Sequence, residues 1–243
     1  MRTLAAVLAA LMLAGAASAA DTARGRKLYF SACAQCHGPD LRGVDRDARV
    51  GAGDNLALGP SLRGVGAQAA DFYLRTGYMP LRDPTTQPRR THPKYSERDL
   101  HALVDFVASF GGPGVPRVHP VRGRTGLGLV LFTEHCAGCH QVVGEGGIVT
   151  GSRVPSLEHA TATQIAEAVR VGPYVMPRFS ERQISPRELD SLVRYVLYAR
   201  DPDDRGGWGL GHLGPVPEGI VVWLFAGAAL LVVARLIGEG LKR

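Results

Sequence analysis

All four cysteines of the 243-residue chain fall in two copies of one motif, in which two residues separate a pair of cysteines and a histidine follows at once. This spacing is the attachment signature of c-type haem: the thiols form thioethers with the haem vinyl groups, and the histidine binds the iron. Two copies predict two covalently bound haem c groups, and electron transfer as the role. The residues are Cys33, Cys36 and His37 in the first copy and Cys136, Cys139 and His140 in the second.

Paired cysteines also occur in zinc sites and in disulfides, and both are alternatives here. Four cysteines could hold one zinc ion, and a secreted chain permits disulfides. A zinc site explains neither the two histidines nor the two methionines, Met79 and Met176, that recur after the motifs. Haem attachment therefore remains the prediction.

Both motifs lie inside a longer internal repeat, which contains five matched landmarks in the same order. Two copies are too few for a solenoid, so the pattern predicts a tandem pair of domains. We call them the first repeat and the second repeat. The landmarks are Gly25 with Gly128, Leu28-Tyr29 with Leu131-Phe132, Gly59–Leu62 with Val154–Leu157, Gly77–Pro80 with Tyr174–Pro177, and Ser96–Val107 with Ser185–Val196.

The repeat resembles the class I cytochrome c family over residues 22–112 and 121–202. In that family a helix leads into the haem motif, a proline-containing loop follows, and a methionine ligand precedes a closing helix. The resemblance implies that Met79 and Met176 are the sixth ligands of the two irons. A thioether sulfur favours reduced iron, and His/Met ligation raises the reduction potential.

The same resemblance implies a role for two backbone carbonyls. By position, Pro60 would accept the second N–H of His37, and Pro155 would accept that of His140. Such a bond fixes the orientation of the imidazole and tunes the iron.

Methionine and histidine also have simpler uses. A methionine in a small domain is usually core filler, but Met79 and Met176 occupy equivalent positions of the repeat, which favours ligation. Six histidines without a repeat partner are expected in loops or on the surface, and two of them, His92 and His159, are alternative axial ligands. The six are His92, His101, His119, His135, His159 and His212.

The elements that must position these residues are helical, and the predicted class is all-α. Capping-box patterns open the two closing helices, and Pro186 suits a first helical position. Leucines and valines recur in both at helical spacing. The predicted helices are 22–34, 69–76 and 96–110 in the first repeat, and 125–137, 162–171 and 185–198 in the second.

The two ends of the chain predict export and a membrane anchor. A basic residue, a short apolar stretch and a small-x-small site ending at Ala19 are typical of a signal peptide; an uncleaved anchor is the alternative. Near the other end, Ile220–Ile237 is apolar except for Arg235, and about 18 residues span roughly 27 Å as a helix. The positive-inside rule then places the C-terminus in the cytoplasm and the haem sites outside it.

Charge and composition exclude little beyond nucleic-acid binding. The formal net charge is +6 and the isoelectric point about 9.4, yet no lysine-rich run or nucleic-acid motif is present. The first repeat carries two extra stretches, 41–58 and 81–95, which are expected to be solvated loops where a partner could dock. The predicted segments are a signal peptide (1–19), first repeat (20–112), linker (113–124), second repeat (125–202), Gly/Pro-rich connector (203–219), transmembrane helix (220–238) and cytoplasmic tail (239–243).

The order of these segments is similar to that of the dihaem cytochrome c subunit of the actinobacterial cytochrome bcc complex. The most specific match is Gly209–Trp223, with its Gly-Pro-x-Pro-Glu-Gly core, followed by Gly77–Pro80 and Met176–Ser180. The resemblance implies a subunit of a menaquinol or quinol–cytochrome c reductase.

The resemblance also implies an electron path and a set of partners. The Rieske iron–sulfur subunit, next to the cytochrome b subunit, would supply electrons to the first repeat, and the second would deliver them to the copper-A centre of a terminal oxidase. A dimeric supercomplex in the cell membrane is the expected assembly. Two alternatives are a free-standing membrane-tethered dihaem carrier and a dihaem enzyme such as a peroxidase, which needs an open sixth site.

Overall fold

The computed structural model describes residues 21–44, 59–83, 86–149, 151–200, 202 and 215–240, with the side chains of the last stretch from Gly219 onward. The chain divides after Asp201 into two units. Several predicted features lie outside the described residues: the signal peptide, most of the 41–58 loop, most of the connector with His212, and the last three residues of the tail.

The first unit contains two similar sets of helices and one small hairpin. A 3-10 helix at Pro120–Arg122 lies between the sets. The helices are α1 (21–32), α2 (Ala34–His37), α3 (Gly66–Arg75), α4 (Glu97–Ala108), α5 (Thr125–His135), α6 (Ala137–His140), α7 (Ala162–Val171) and α8 (Pro186–Arg200).

The all-α prediction needs a correction at the second repeat. Strands β1 (Gly147–Val149) and β2 (Ser152–Val154) pair antiparallel, with Ile148 opposite Arg153. Each strand has three residues, which is too short to produce a recognisable alternation of apolar and polar positions. Gly151, at a φ of +79°, allows the tight turn between them.

Helix starts agree closely with the sequence signals. The Ser96 side chain accepts from the N–H of Asp99 at the start of α4. Ser185 and Glu188 exchange the two bonds of a capping box before α8, with Glu188 N–H 3.4 Å and Ser185 N–H 2.8 Å from the respective oxygens. Helix α7 has the predicted bounds, whereas α3 begins three residues before the predicted Ala69.

In each repeat the helix that leads into the Cys-x-x-Cys-His motif crosses the closing helix at a glycine. A Cβ on Gly25 would overlap the backbone oxygen of Ala102, and one on Gly128 would overlap that of Ser191. One turn further on, aromatic rings meet across the same crossing, with a centroid separation of 5.3 Å for both Tyr29–Phe106 and Phe132–Tyr195. The close approach fixes the end of the first helix, where the motif begins.

The linker between the repeats packs against both of them. The Pro113 carbonyl accepts from Gln68 N–H of the first repeat (3.2 Å). The His119 N–H donates to Asp190 of α8 in the second repeat (2.6 Å). The linker thus runs as an attached strap along the unit.

The second unit is described by a single helix, α9 (Pro215–Gly240). Within Gly219–Gly240, an 18-residue stretch has a mean hydropathy of 2.5, and among the described residues this is the one helix long and apolar enough to cross a membrane. At about 1.5 Å per residue, 22 residues cover roughly 33 Å, close to the thickness of a hydrocarbon core. Arg235 pairs with Glu239 at 3.0 Å.

Adding one methyl group at the crossing tests how strongly the repeat depends on it. We expect Gly128→Ala to lower the free energy of unfolding by about 1–3 kcal/mol, because the new Cβ must push α5 away from α8. Thermal and denaturant unfolding of the full chain in detergent measures the change. Gly126→Ala is the matched control, since nothing lies within 4 Å of its Cβ; a similar loss in both variants would contradict the interpretation.

Candidate functional site

A deep cavity in the second repeat brings together the residues predicted to hold a haem. Cys136, Cys139, His140, Pro155 and Met176 all line it. The cavity contains about 1130 Å³ of space between atoms, part of it open to solvent. Most of its wall is apolar, formed by residues that include Phe132, Ile165, Val169, Leu192 and Val196. A large, flat, mostly apolar group fits such a wall.

The second motif is folded as a helical corner, which places its reactive atoms on one side. Cys136 ends α5, with its N–H bonded to the Phe132 carbonyl at 2.8 Å, and its own carbonyl accepts from His140 N–H at 2.9 Å. Cys136 and His140 are therefore one helical turn apart. Burial raises the pKa of the Cys136 thiol to about 11, with a further contribution from Cys139. The free thiol is thus neutral at physiological pH.

Both motif histidines contact the carbonyl that the resemblance implied. The Nδ1 of His140 lies 3.2 Å from the Pro155 oxygen, and that of His37 lies 2.8 Å from the Pro60 oxygen. A carbonyl can only accept, so Nδ1 carries the proton and the Nε2 lone pair is left for a metal. Burial lowers the pKa of His140, which keeps this imidazole neutral.

The first repeat has the same arrangement of cysteines, histidine and methionine around its own motif. His37 is 7% exposed, and Cys33 and Met79 both pack against the core cluster that contains Tyr29, Leu100 and Leu103. Gly59 lies so close to Cys36 that a Cβ there would come within 2.5 Å of the Cys36 oxygen. Burial raises the pKa of the Cys33 thiol to about 11.

The alternative uses of these residues find no support in the described part of the chain. All four cysteines are free of disulfides. Among the described residues no three His, Cys, Asp or Glu side chains form a metal cluster, which disfavours a zinc site of four cysteines. His92 and His159 have exposed side chains, and neither lines the cavity.

Comparison with known proteins agrees with this geometry. Residues 22–111 match the family model described as cytochrome c, and residues 125–196 match the one described as cytochrome C oxidase, cbb3-type, subunit III. The "Cytochrome bc1 complex cytochrome c subunit" of Corynebacterium diphtheriae is 37% identical over 235 residues, covering 88% of this chain and 79% of its own length. The chain belongs to this family. Its cytochrome c domains imply covalently bound haem c and electron transport.

Other members of the family align over a similar length. The subunit of the same name from Corynebacterium efficiens is 34% identical and covers 89% of this chain and 76% of its own length. That of Mycobacterium bovis is 35% identical, covering 93% and 80%. The similarity therefore includes both cytochrome c repeats.

The cavity of the second cytochrome c repeat has one wall that the sequence did not predict, because it comes from the first repeat. Phe72, Thr76, Tyr78, Gln87 and Arg90 all line it. The last two belong to the 81–95 stretch, which was expected to be a solvated loop; where described, part of that stretch instead covers the second repeat. Only the pairing of two repeats could have revealed this wall, and no local pattern encodes that pairing.

Three tyrosines meet between the two cytochrome c repeats. The ring centroids of Tyr78 and Tyr174 are 5.7 Å apart and the planes are perpendicular, and Tyr73 lies 6.2 Å from Tyr174. Tyr78 directly precedes Met79, and Tyr174 lies two residues before Met176. The cluster therefore joins the two methionine loops. Tyr78 and Tyr174 both belong to the fourth landmark of the repeat, but the landmark gave no sign that the two side chains meet.

A buried carboxyl pair lies in the same interface, where α3 packs against α7. Asp71 pairs with Arg75 at 2.8 Å, and Arg75 also binds Glu97. Glu167 is fully buried, and within the described residues neither of its oxygens has a hydrogen-bond donor. Burial and the neighbouring Asp71 raise the pKa of Glu167 to about 9, against the opposing effect of Arg75. A protonated Glu167 can donate one hydrogen bond to the Asp71 carboxylate, which favours the protonated form.

This pair predicts a stability that falls as pH rises. Folded Glu167 keeps its proton up to pH about 9, whereas an unfolded glutamate loses it near pH ~4.3. Between these values the folded state binds more protons, so raising the pH favours unfolding. We expect the change in unfolding free energy caused by Glu167→Gln to be more favourable at pH 8 than at pH 5, by at least ~1 kcal/mol. Unfolding curves at both pH values measure this, with exposed Glu145→Gln as control; equal effects at both pH values would contradict it.

Proposed function

We propose that this chain is the membrane-anchored dihaem cytochrome c subunit of a respiratory quinol–cytochrome c reductase, the bcc type of bc1 complex. It would carry electrons from the Rieske iron–sulfur centre to the copper-A centre of a terminal oxidase. The observation that carries the proposal is the duplicated site: each repeat holds a Cys-x-x-Cys-His corner whose histidine Nδ1 faces a proline carbonyl.

The proposal assigns one covalent haem c to each repeat. Cys33 and Cys36 would hold the first, and Cys136 and Cys139 the second. The apolar cavity beside Cys136 and the neutral His140 fit such a group. Haem iron supplies reversible one-electron redox chemistry. This chain's residues fix the ligands, exclude water and set the reduction potential.

The four axial ligands in this proposal are His37 with Met79 and His140 with Met176. Each histidine is held with its Nε2 free, as the Nδ1 contacts require. Met176 lines the cavity, and the described lining residues include no aspartate or glutamate. Met79 packs against the same core cluster as Cys33. A histidine and a thioether favour the reduced iron and therefore a relatively high potential.

The membrane topology in this proposal follows from the ends of the chain. Helix α9 would cross the membrane once, with Arg235 and the basic residues Lys242 and Arg243 on the cytoplasmic side. Both cytochrome c repeats would then lie on the extracytoplasmic side, behind a cleaved signal peptide at 1–19. The proposed domains are residues 20–112 and 125–202, and the matched family models cover residues 22–111 and 125–196.

The partners in this proposal are the cytochrome b subunit, the Rieske iron–sulfur subunit and a copper-A-containing oxidase, assembled as a dimeric supercomplex. The relatives are named as subunits of a bc1 complex, which supports other subunits of that complex as neighbours. The second repeat would take the place of a separate, mobile cytochrome c.

Isolation in mild detergent tests the proposal directly. An affinity-tagged chain would be purified from membranes, its co-purifying subunits identified, and its haem counted from a pyridine haemochrome spectrum. We expect two c haems per chain together with cytochrome b, Rieske and oxidase subunits. Two c haems without these partners would point to a free-standing membrane carrier, and a high-spin haem in the resting protein would point to a dihaem enzyme.

Loss of one methionine ligand should change one potential only. We expect Met176→Ala to lower the reduction potential of one haem by on the order of 0.1 V, within the ~0.8 V range that axial ligands span, and to slow oxygen consumption. Both haems should remain covalently attached. Met79→Ala is the matched variant and should shift the other haem. A redox titration of Met176→Ala that overlays the wild type would refute the assignment.

A further inference from the structure

The cavity of the second repeat carries positive charge without a balancing acid on its wall. Among the described residues that line it, the ionic side chains are Arg90 and Arg153, and no aspartate or glutamate is present. Arg90 belongs to the first repeat and Arg153 to the second. A cavity with two guanidinium groups on an otherwise mostly apolar wall is suited to a ligand that is apolar and bears negative charge.

We propose that Arg90 of the first repeat completes the haem site of the second repeat, where with Arg153 it supplies the positive charge that faces the haem and raises its reduction potential. The inference rests on the proposed function. It makes Arg90 a positioning residue of a site whose ligands all lie in the other repeat.

Arg90 is firmly held by the second repeat. Its Nη2 donates to the His159 carbonyl at 2.8 Å and to the Gln164 side-chain oxygen at 2.6 Å. That same oxygen accepts from Thr161 N–H at 3.1 Å in the capping box of α7. Arg90 is half-buried, and two oxygens of the second repeat hold its guanidinium in place.

The two oxygens that Arg90 binds are uncharged, so these bonds do not balance its positive charge. Arg90 lies at the start of α7, where the helix dipole is positive and the first turn has no acidic residue. Arg200 is close enough for mutual repulsion, partly offset by Glu158, and donates to the Ala160 carbonyl at 2.6 Å. An anion in the cavity beside Arg90 would offset the repulsion from the helix N-terminus and from Arg200.

Haem c is such a group, because each macrocycle carries two carboxylates. Reduction adds one negative charge to the bound group, and a nearby cation therefore stabilises the reduced form relative to the oxidised form. Two arginines on the wall also lessen the cost of bringing carboxylates into an apolar cavity.

A second contact holds Arg153 in place. The Gln87 amide donates to the Arg153 carbonyl at 2.7 Å and accepts from the Arg153 N–H at 2.8 Å. A side chain of the first repeat thus pairs with β2 as a neighbouring strand would. The backbone of Arg153 and the side chain of Arg90 are thus both held by bonds that cross between the repeats.

Redox titration of the purified complex tests the proposal, with each wave assigned from the Met79→Ala and Met176→Ala variants. We expect Arg90→Gln to lower the potential of the second haem and leave the first unchanged. Arg90→Lys keeps the charge and should restore most of the shift. Arg89→Gln is the matched control, because Arg89 is the exposed neighbour in sequence and does not line the cavity; it should shift neither haem.

Arg153→Gln provides a second variant that leaves the bonds between the repeats intact, since Arg153 meets Gln87 through its backbone. It should lower the same potential. The proposal is overturned if Arg90→Gln and Arg153→Gln both keep two haems and wild-type potentials. It is also overturned if Arg90→Lys lowers the potential of the second haem as far as Arg90→Gln does, which would indicate a purely structural contact. A wild-type chain without c haem would instead refute the proposed function.

Discussion

The close crossing of two helices at a glycine determines where the chemistry of each repeat can occur. Gly25 on Ala102 and Gly128 on Ser191 bring backbones together at a distance that no side chain permits. The helix that enters the motif is therefore fixed in both position and direction, and the two cysteines follow at its end. Everything else in the repeat, from the proline carbonyl to the methionine loop, is arranged around that corner. A residue with no side chain is thus the reference point for the most reactive residues of the chain.

Much of this arrangement was predictable because it is encoded locally and encoded twice. The capping residues Ser96 and Ser185 predicted two closing helices. The corners were not predicted, because the leading helices were expected to run through Cys33 and Cys136, where the structure ends them. Duplication is the reason to predict that Met79 and Met176 are ligands and not core methionines, since the two occupy matched positions of the repeat. The contacts of His37 and His140 with proline carbonyls agree with what the class I resemblance implied. The short hairpin at Gly147–Val154 was not predicted, because strands of three residues are too short to show a periodic pattern.

The interface between the repeats was not predictable, for a physical reason. The tyrosine cluster, the Asp71–Glu167 pair and the position of Arg90 each depend on two surfaces that are far apart in sequence. A single copy of the repeat supplies only one of the two partners in each contact. Without its partner, such a residue resembles a surface residue. Glu167 shows this most clearly: from its place in a polar helical stretch it resembles a solvated glutamate, yet it is fully buried against the other repeat. Propensity and periodicity describe one element at a time and carry no information about such pairings.

The strap from Pro113 to Arg124, bonded to both repeats, has a consequence for kinetics. When a donor and an acceptor site are separate molecules, their encounter is second order and depends on concentration and on ionic strength. Two sites held on one chain meet at an effective concentration set by the covalent connection instead. Passage from the first repeat to the second would then be a first-order event, indifferent to dilution and little affected by salt, and its rate would be a property of this fold alone.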